Sequence, residues 1–174
     1  MSEARNTETI LMEYRKTVRN LFDTGAPDVI DNSSPRHASI LLEEMIRHAQ
    51  ISFYAFSGQM DPEVWNANVL SALEDAVKRG VLIHLLVEQN CIPIDNGMMP
   101  ESLRSTVRRF GSSINPSDFS HCAVGDGQSF RMEMNQPAKS AVFAANNPEF
   151  ASRVLNIVEY LYTAGVPYAN NSAA

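Results

Sequence analysis

The sequence lacks several features that would place a protein in a special class. It has two cysteines, Cys91 and Cys122, with no metal-ligand spacing, no disulfide framework and no Gly-rich phosphate loop nearby, so neither a metal nor a cofactor is expected. No apolar run approaches the roughly 18–20 residues that a transmembrane helix requires. Residues 1–8 lack the apolar centre of a signal peptide. These absences lead us to expect a cytoplasmic protein without a membrane span.

Positive charge is also scarce. The chain has 14 Lys and Arg residues against 20 Asp and Glu residues, which gives a net charge of −6. This balance argues against broad, nonspecific binding to nucleic acid, because such binding depends on cations that neutralise phosphates. Arg104, Arg108 and Arg109 form a local basic segment, and we take them as candidate ligand-binding residues. The alternative is that they lie on the solvated face and C-terminal end of a helix.

What the sequence does contain is a succession of helix and strand patterns. Its 174 residues, 44% of them apolar, suit one domain with a sizeable core. Apolar spacing, caps and turn residues predict helices over 9–22, 35–49, 61–79, 101–110 and 148–162, and strands over 51–56, 81–87, 119–124, 128–134 and 141–144. The run 81–87 is apolar almost throughout, which is typical of a central parallel strand. Gly125-Asp126-Gly127 predicts a hairpin.

These patterns predict a mixed α/β fold with a largely parallel central sheet flanked by helices and an extra N-terminal helix. We divide the chain into an N-terminal helical arm and linker (1–34), an α/β domain (35–164) and a flexible tail (165–174). The first helix has an apolar stripe that either packs on a partner or folds onto the same core. Both interpretations stay open.

Two segments carry a resemblance to a known family. The stretch from Ala76 to Ile83 follows the pattern Ala-x-x-Arg-Gly-Val-x-Ile, and Asn147-Pro148-Glu149 precedes the last predicted helix. In these segments, and in the order of elements from about 36 to 162, the chain resembles one half of a phospholipase D-like enzyme. The resemblance implies that family's α/β fold. It also implies a homodimer, because members with a single motif copy complete themselves by pairing.

The family's catalytic motif is His-x-Lys, four residues, then Asp, in which the histidine attacks phosphorus and the lysine offsets phosphate charge. Aligned on Asp126, the histidine position holds Phe119 and the lysine position holds His121. Aligned instead on His121, the lysine position holds Ala123 and the spacing to aspartate is two residues short. The pair is broken in either alignment. The family's Gly-Ser-x-Asn is also absent near Asn135, which we keep as a candidate binding residue.

Two functional hypotheses follow from the resemblance. The first is a catalytically degenerate domain that serves as a binding or regulatory subunit, alone or in a larger assembly, for a protein partner, nucleic acid or a phosphate-containing ligand. The second is a divergent phosphodiesterase or nuclease that uses His121, with Asp126, at a dimer-interface site. The structural alternatives are a hydrogen-bonded strand histidine at His121 and a simple turn residue at Asp126. His84 is expected to be buried in the central strand, where it could approach His121.

Overall fold

The strands and helices of the chain are built around one mixed sheet. The computed structural model describes residues 2–32, 34–111, 114–135 and 140–168. Within them the strands are β1 (Val29–Asn32), β2 (Ser52–Phe56), β3 (Leu82–Val87), β4 (Val107–Arg109), β5 (Cys122–Gly125), β6 (Ser129–Asn135), β7 (Ser140–Ala144) and β8 (Val166–Pro167). The helices are α1 (Ser2–Thr24), α2 (Pro35–His48), α3 (Ala67–Lys78), the single turn α4 (Ile92–Asp95) and α5 (Pro148–Ala164). None of the described helices is long and apolar enough to cross a membrane.

The sheet order β1-β7-β6-β5-β2-β3-β4-β8 confirms a mixed α/β fold but corrects the expected strand directions. Only the neighbours β2–β3 and β3–β4 run parallel, whereas the other neighbouring pairs of described strands are antiparallel. The sheet is therefore parallel only in its centre. The helix α3 carries the chain across between the parallel strands β2 and β3, whereas β5, β6 and β7 follow one another along the chain as antiparallel neighbours.

Helices cover both faces of the sheet. The side chains of Phe53 and Leu85 belong to the core that α1, α2 and α3 share with one face. Phe56, Leu86 and Val124 belong to the core beneath α5 on the opposite face. Strand β3 contributes buried side chains to both cores, as expected for a central parallel strand.

The N-terminal helix packs on its own chain. Val18 and Leu21 are buried in the core beside α2. Arg15 pairs with Glu44 of α2 at 2.6 Å and Arg19 pairs with the same carboxylate at 3.0 Å, and this glutamate is 1% exposed. Of the two alternatives for this helix, the structure therefore has its C-terminal half folded onto the core.

Side-chain caps set the starts of two helices at the residues where the sequence predicts them to begin. The Ser34 side chain accepts from the backbone of α2, and Asn147 does the same for α5. The third helix starts later than predicted, because Asn66 caps α3. Asp61, where the predicted helix began, instead accepts from the Glu63 amide in a separate turn that follows β2.

The segment between the third and fifth strands also differs from its prediction. A 3-10 helix, Glu101–Thr106, ends before β4, so Arg108 and Arg109 lie on a strand and not at the end of a helix. Because 3-10 helices are short, this one ends well before the α-helix that was predicted over 101–110. Strand β8 pairs with β4 and occupies the start of the segment predicted as a flexible tail. Residues 169–174 lie outside the described residues.

His84 lies beneath α5 in an aromatic cluster. Its ring stacks on Tyr54 with centroids 4.3 Å apart and meets the Tyr162 ring edge-on at 4.6 Å. Its Nδ1 is buried and has no hydrogen-bond partner among the described residues. Burial lowers the pKa of His84; nearby Arg108 adds to this effect and Glu159 opposes it.

Replacing Glu44 by glutamine should destabilise the fold. Two arginines of α1 would lose a buried charged acceptor, so we expect the free energy of unfolding to fall by about 1–3 kcal/mol in chemical denaturation. The exposed Glu13→Gln change on α1 is the matched control. An unchanged stability for Glu44→Gln would show that α1 is not docked on α2 in solution.

Acidification should weaken the fold through His84. Because the pKa of His84 is lowered in the folded state, the unfolded chain binds the proton more readily. The contribution of neutral His84 to the free energy of unfolding is therefore complete above about pH 6.5, and it declines as the pH falls towards the pKa of His84 in the folded protein. Denaturation curves between pH 7.5 and 5 should show a smaller loss of stability in His84→Gln than in the wild type. Equal pH slopes in both proteins would contradict this role.

Candidate functional site

A cavity opens at the carboxyl ends of β2 and β3. Its volume is about 240 Å³, and its lining includes Ser57 and Gln59 after β2, Glu88 after β3, and the first turn of α2. Ligands of open α/β sheets commonly bind beyond the carboxyl ends of parallel strands. The position alone therefore makes this cavity the candidate site.

His121 enters the cavity just before β5. Its Nδ1 lies 2.8 Å from Oε2 of Glu133, and the Glu133 backbone amide donates to the carbonyl of His121 at 2.9 Å. The carboxylate is largely buried, whereas one third of the histidine side chain is exposed. The contact is an ion-pair approach and lacks hydrogen-bond geometry, since Glu133 Oε2 has no hydrogen-bond partner among the described residues. A carboxylate this close favours a proton on Nδ1, which leaves Nε2 as the reactive or accepting atom.

A second carboxylate approaches the other side of this imidazole. A Cβ placed on Gly58 would lie 2.8 Å from Nε2 of His121 and 2.6 Å from Oε1 of Glu88. Both atoms therefore converge on the space that the missing side chain leaves. Gln59 donates from Nε2 to Oε2 of Glu88 at 2.6 Å, which orients the carboxylate. The free edge of the imidazole consequently faces a negative charge.

Arg131 supplies a cation to the lining of the same cavity. It lies on β6, on the same sheet face as Glu133, and is 9% exposed. One guanidinium nitrogen donates to Oδ1 of Asn32 at 3.1 Å, but Nε has no hydrogen-bond partner among the described residues. Burial lowers the pKa of Arg131, and the neighbouring charge of Glu133 opposes this shift.

The remaining wall of the cavity is apolar. Trp65, Met60 and Phe56 contribute to it, and the indole N–H of Trp65 donates to the Ser57 hydroxyl at 2.8 Å. Cys122 also lines the cavity, but burial raises the pKa of its thiol to about 12. A thiol with that pKa stays protonated near neutral pH and is a poor nucleophile.

Asp126 lies at the opposite end of β5 from His121. Its carboxylate accepts hydrogen bonds from the backbone amides of Gln50, Ile51 and Ser52 at 2.8–2.9 Å. Its φ of 54° is the left-handed conformation that the hairpin requires. The two predicted catalytic residues are therefore not brought together, because a strand of four residues separates them.

The predicted basic residues lie away from the cavity lining. Arg108 donates to the carbonyls of Tyr162 and Thr163 at the end of α5 and lies over the Tyr162 ring. Arg109 pairs with Asp95. Arg104 is half-buried on the 3-10 helix before β4. Asn135 ends β6, and its side chain is outside the described part of the structure.

Sequence reasoning missed the glutamates, Gly58 and Arg131. Glu133 lies opposite His121 because a three-residue loop, 126–128, joins β5 to β6, whereas a two-residue turn at Asp126-Gly127 would place Met132 there. Arg131 was visible as a charge within an apolar strand. Nothing in the sequence brings Glu88 to His121. Among the described residues, no three His, Cys, Asp or Glu side chains form a group able to hold a metal ion.

Comparison with known proteins identifies the architecture. Neither a protein-family model nor a curated protein sequence matches the chain. Among solved structures, Nuc, a phospholipase D family member from Salmonella typhimurium, superposes with a TM-score of 0.61 at 19% identity, over 83% of this chain and 100% of Nuc. The chain has a phospholipase D-like fold. This confirms the fold that the residues 36–162 were expected to share.

Two larger structures are also similar to this chain in fold. The phosphatidylserine synthase of Haemophilus influenzae Rd KW20 has a TM-score of 0.54 at 12% identity, over 92% of this chain and 44% of the synthase. TrmBL2, an archaeal chromatin protein with a novel mode of DNA binding, has a TM-score of 0.63 at 12% identity, over 95% of this chain and 64% of TrmBL2. The chain thus spans less than two thirds of either structure, and at these identities the likeness concerns the fold alone.

Removing the charge of Asp126 should affect stability and leave the cavity intact. Asparagine tolerates the left-handed turn but is a weaker acceptor for three amides, so Asp126→Asn should lose about 1–3 kcal/mol of unfolding free energy. The exposed Asp28→Asn change is the control. NMR signals of the His121 ring should stay in place in the folded variant. Unaltered stability together with displaced His121 signals would instead tie Asp126 to the site.

Proposed function

We propose that this phospholipase D-like domain is a catalytically degenerate module that binds a small molecule and does not hydrolyse phosphodiesters. The observation that carries the proposal is the Glu88 carboxylate beside Nε2 of His121. Phosphoryl transfer needs cations where negative charge develops. Here a phosphate that approached Nε2 would meet a carboxylate, and two unit charges 4 Å apart repel by about 1–4 kcal/mol between water and a protein surface.

The position of Phe119 supports the same proposal. In the alignment on Asp126, this residue occupies the place of the family's nucleophilic histidine. Its ring packs beside Phe110, with centroids 6.1 Å apart, against the core beneath α5. A phenyl ring has no lone pair with which to attack phosphorus, so the resemblance supplies a fold without its nucleophile.

We propose that the domain has a regulatory role inside a larger assembly in the cytoplasm. TrmBL2 supports it, since a fold of this kind occurs there as part of a longer DNA-binding protein. We also propose a homodimer, because the N-terminal half of α1 extends beyond the core and exposes Ile10 and Met12. A closed two-fold pair is the commonest way to cover such a surface.

A divergent phosphodiesterase or nuclease is the second candidate function. The contact between His121 and Glu133 favours it, because a carboxylate that orients one ring nitrogen prepares the other for nucleophilic or general-base chemistry. In this function Nε2 would attack phosphorus while the alkoxide leaves, and a second subunit would complete the site.

Activity assays and a binding screen together test the proposal. We expect the wild type to hydrolyse bis(p-nitrophenyl) phosphate, single-stranded DNA and RNA no faster than His121→Ala. We also expect a chemically diverse metabolite panel to contain a class that raises the Tm of the wild type but not that of Gly58→Ala, whose new methyl group would displace Glu88 and His121.

Each arm can overturn the proposal. Turnover that disappears in His121→Ala would establish the divergent enzyme instead. A panel in which no class raises the Tm would exclude the binding function. Glu149→Gln, an exposed change on α5, serves as the surface control for both arms.

A further inference from the structure

We infer that the cavity binds a small zwitterion, an amino-acid-like molecule whose ammonium group lies between Glu88 and His121 and whose carboxylate reaches Arg131. The inference rests on the proposed binding function and names its ligand class. It combines two hydrogen-bond acceptors that converge on one point with a buried donor that has no partner, all three in the lining of one cavity.

The ammonium position is defined by the atoms around Gly58. Oε1 of Glu88 and Nε2 of His121 lie within 3 Å of the point that a Gly58 Cβ would occupy. Among the described residues, the ion pair of His121 is with Glu133, so its Nε2 faces Glu88 without pairing to it. Two acceptors that converge without an intervening donor suit a group with several N–H bonds, and an ammonium has three.

The carboxylate position is defined by Arg131. Its side chain is buried, one terminal nitrogen is held by Asn32, and Nε is left without a partner among the described residues. A buried guanidinium that lacks an acceptor is costly, so a ligand anion beside Arg131 in the cavity would be favoured. A carboxylate suits a guanidinium edge, to which it can accept two parallel hydrogen bonds.

The size and the wall of the cavity limit the rest of the ligand. A volume of about 240 Å³ lies below the roughly 300–1,000 Å³ of pockets for drug-sized ligands. Trp65, Met60 and Phe56 present apolar surface with little capacity for further polar groups. A free amino acid with an uncharged, apolar side chain matches these limits.

Calorimetry on the full chain tests the ligand class. The probes are the apolar amino acids, and each is compared with two analogues that keep its side chain. One analogue is the amine that lacks the carboxylate, and the other is the 2-hydroxy acid that lacks the amine. We expect one or more amino acids to bind and both analogues to bind at least tenfold more weakly. Glu88→Gln should weaken the amino acid at least tenfold and the 2-hydroxy acid much less, while Glu149→Gln should change neither.

Arg131→Lys provides the complementary variant. Lysine keeps the positive charge in a folded protein, but it lacks the planar guanidinium that binds a carboxylate through two hydrogen bonds. It should weaken the amino acid and leave the decarboxylated amine unchanged. Binding of a sugar or a nucleotide in place of every amino acid would overturn the inference and leave the binding function standing. Equal binding of the zwitterion and its analogues would also overturn it. No binding by any probe or panel compound would overturn both.

Discussion

Three consecutive backbone amides, those of Gln50, Ile51 and Ser52, donate to the single carboxylate of Asp126. This contact joins the turn between β5 and β6 to the start of β2, across more than 70 residues of chain. It fixes the antiparallel register in which Phe53 faces Gly125 and Phe56 faces Cys122. A shift of one residue would turn every side chain of β5 to the other face of the sheet, so the arrangement at the far end of β5 depends on a register that this contact and the β2–β5 ladder hold together.

The far end of β5 is where the candidate site forms. With the register fixed, His121 arrives beside the carboxyl end of β2, and the hairpin brings Glu133 to its Nδ1. The parallel strand β3 ends alongside and delivers Glu88, and Gly58 leaves the space in which the carboxylate approaches Nε2. The phospholipase D-like scaffold thus presents an imidazole between two carboxylates, a setting that favours a bound cation over a phosphate.

Local signals in the sequence predict much of this fold. The Asp126-Gly127 turn was recognisable because both residues need positive φ, 54° and 64° here. The strand at Arg108 was not, because three residues carry too little pattern to distinguish a strand from a helix end, and β8 is shorter still. The approach of Glu88 to His121 was also beyond the sequence. It depends on residues far apart in the chain and on the absence of a side chain at Gly58, which leaves room for both groups.

The charge preference of the site is most directly measured by NMR of the His121 ring, assigned with the His121→Ala variant. The full chain is titrated in parallel with methylammonium and with dimethyl phosphate. If Glu88 and Glu133 set the electrostatics of the cavity, methylammonium moves the ring signals and dimethyl phosphate leaves them in place. Signals that respond to dimethyl phosphate and ignore methylammonium would contradict this account and return the site to phosphodiester chemistry.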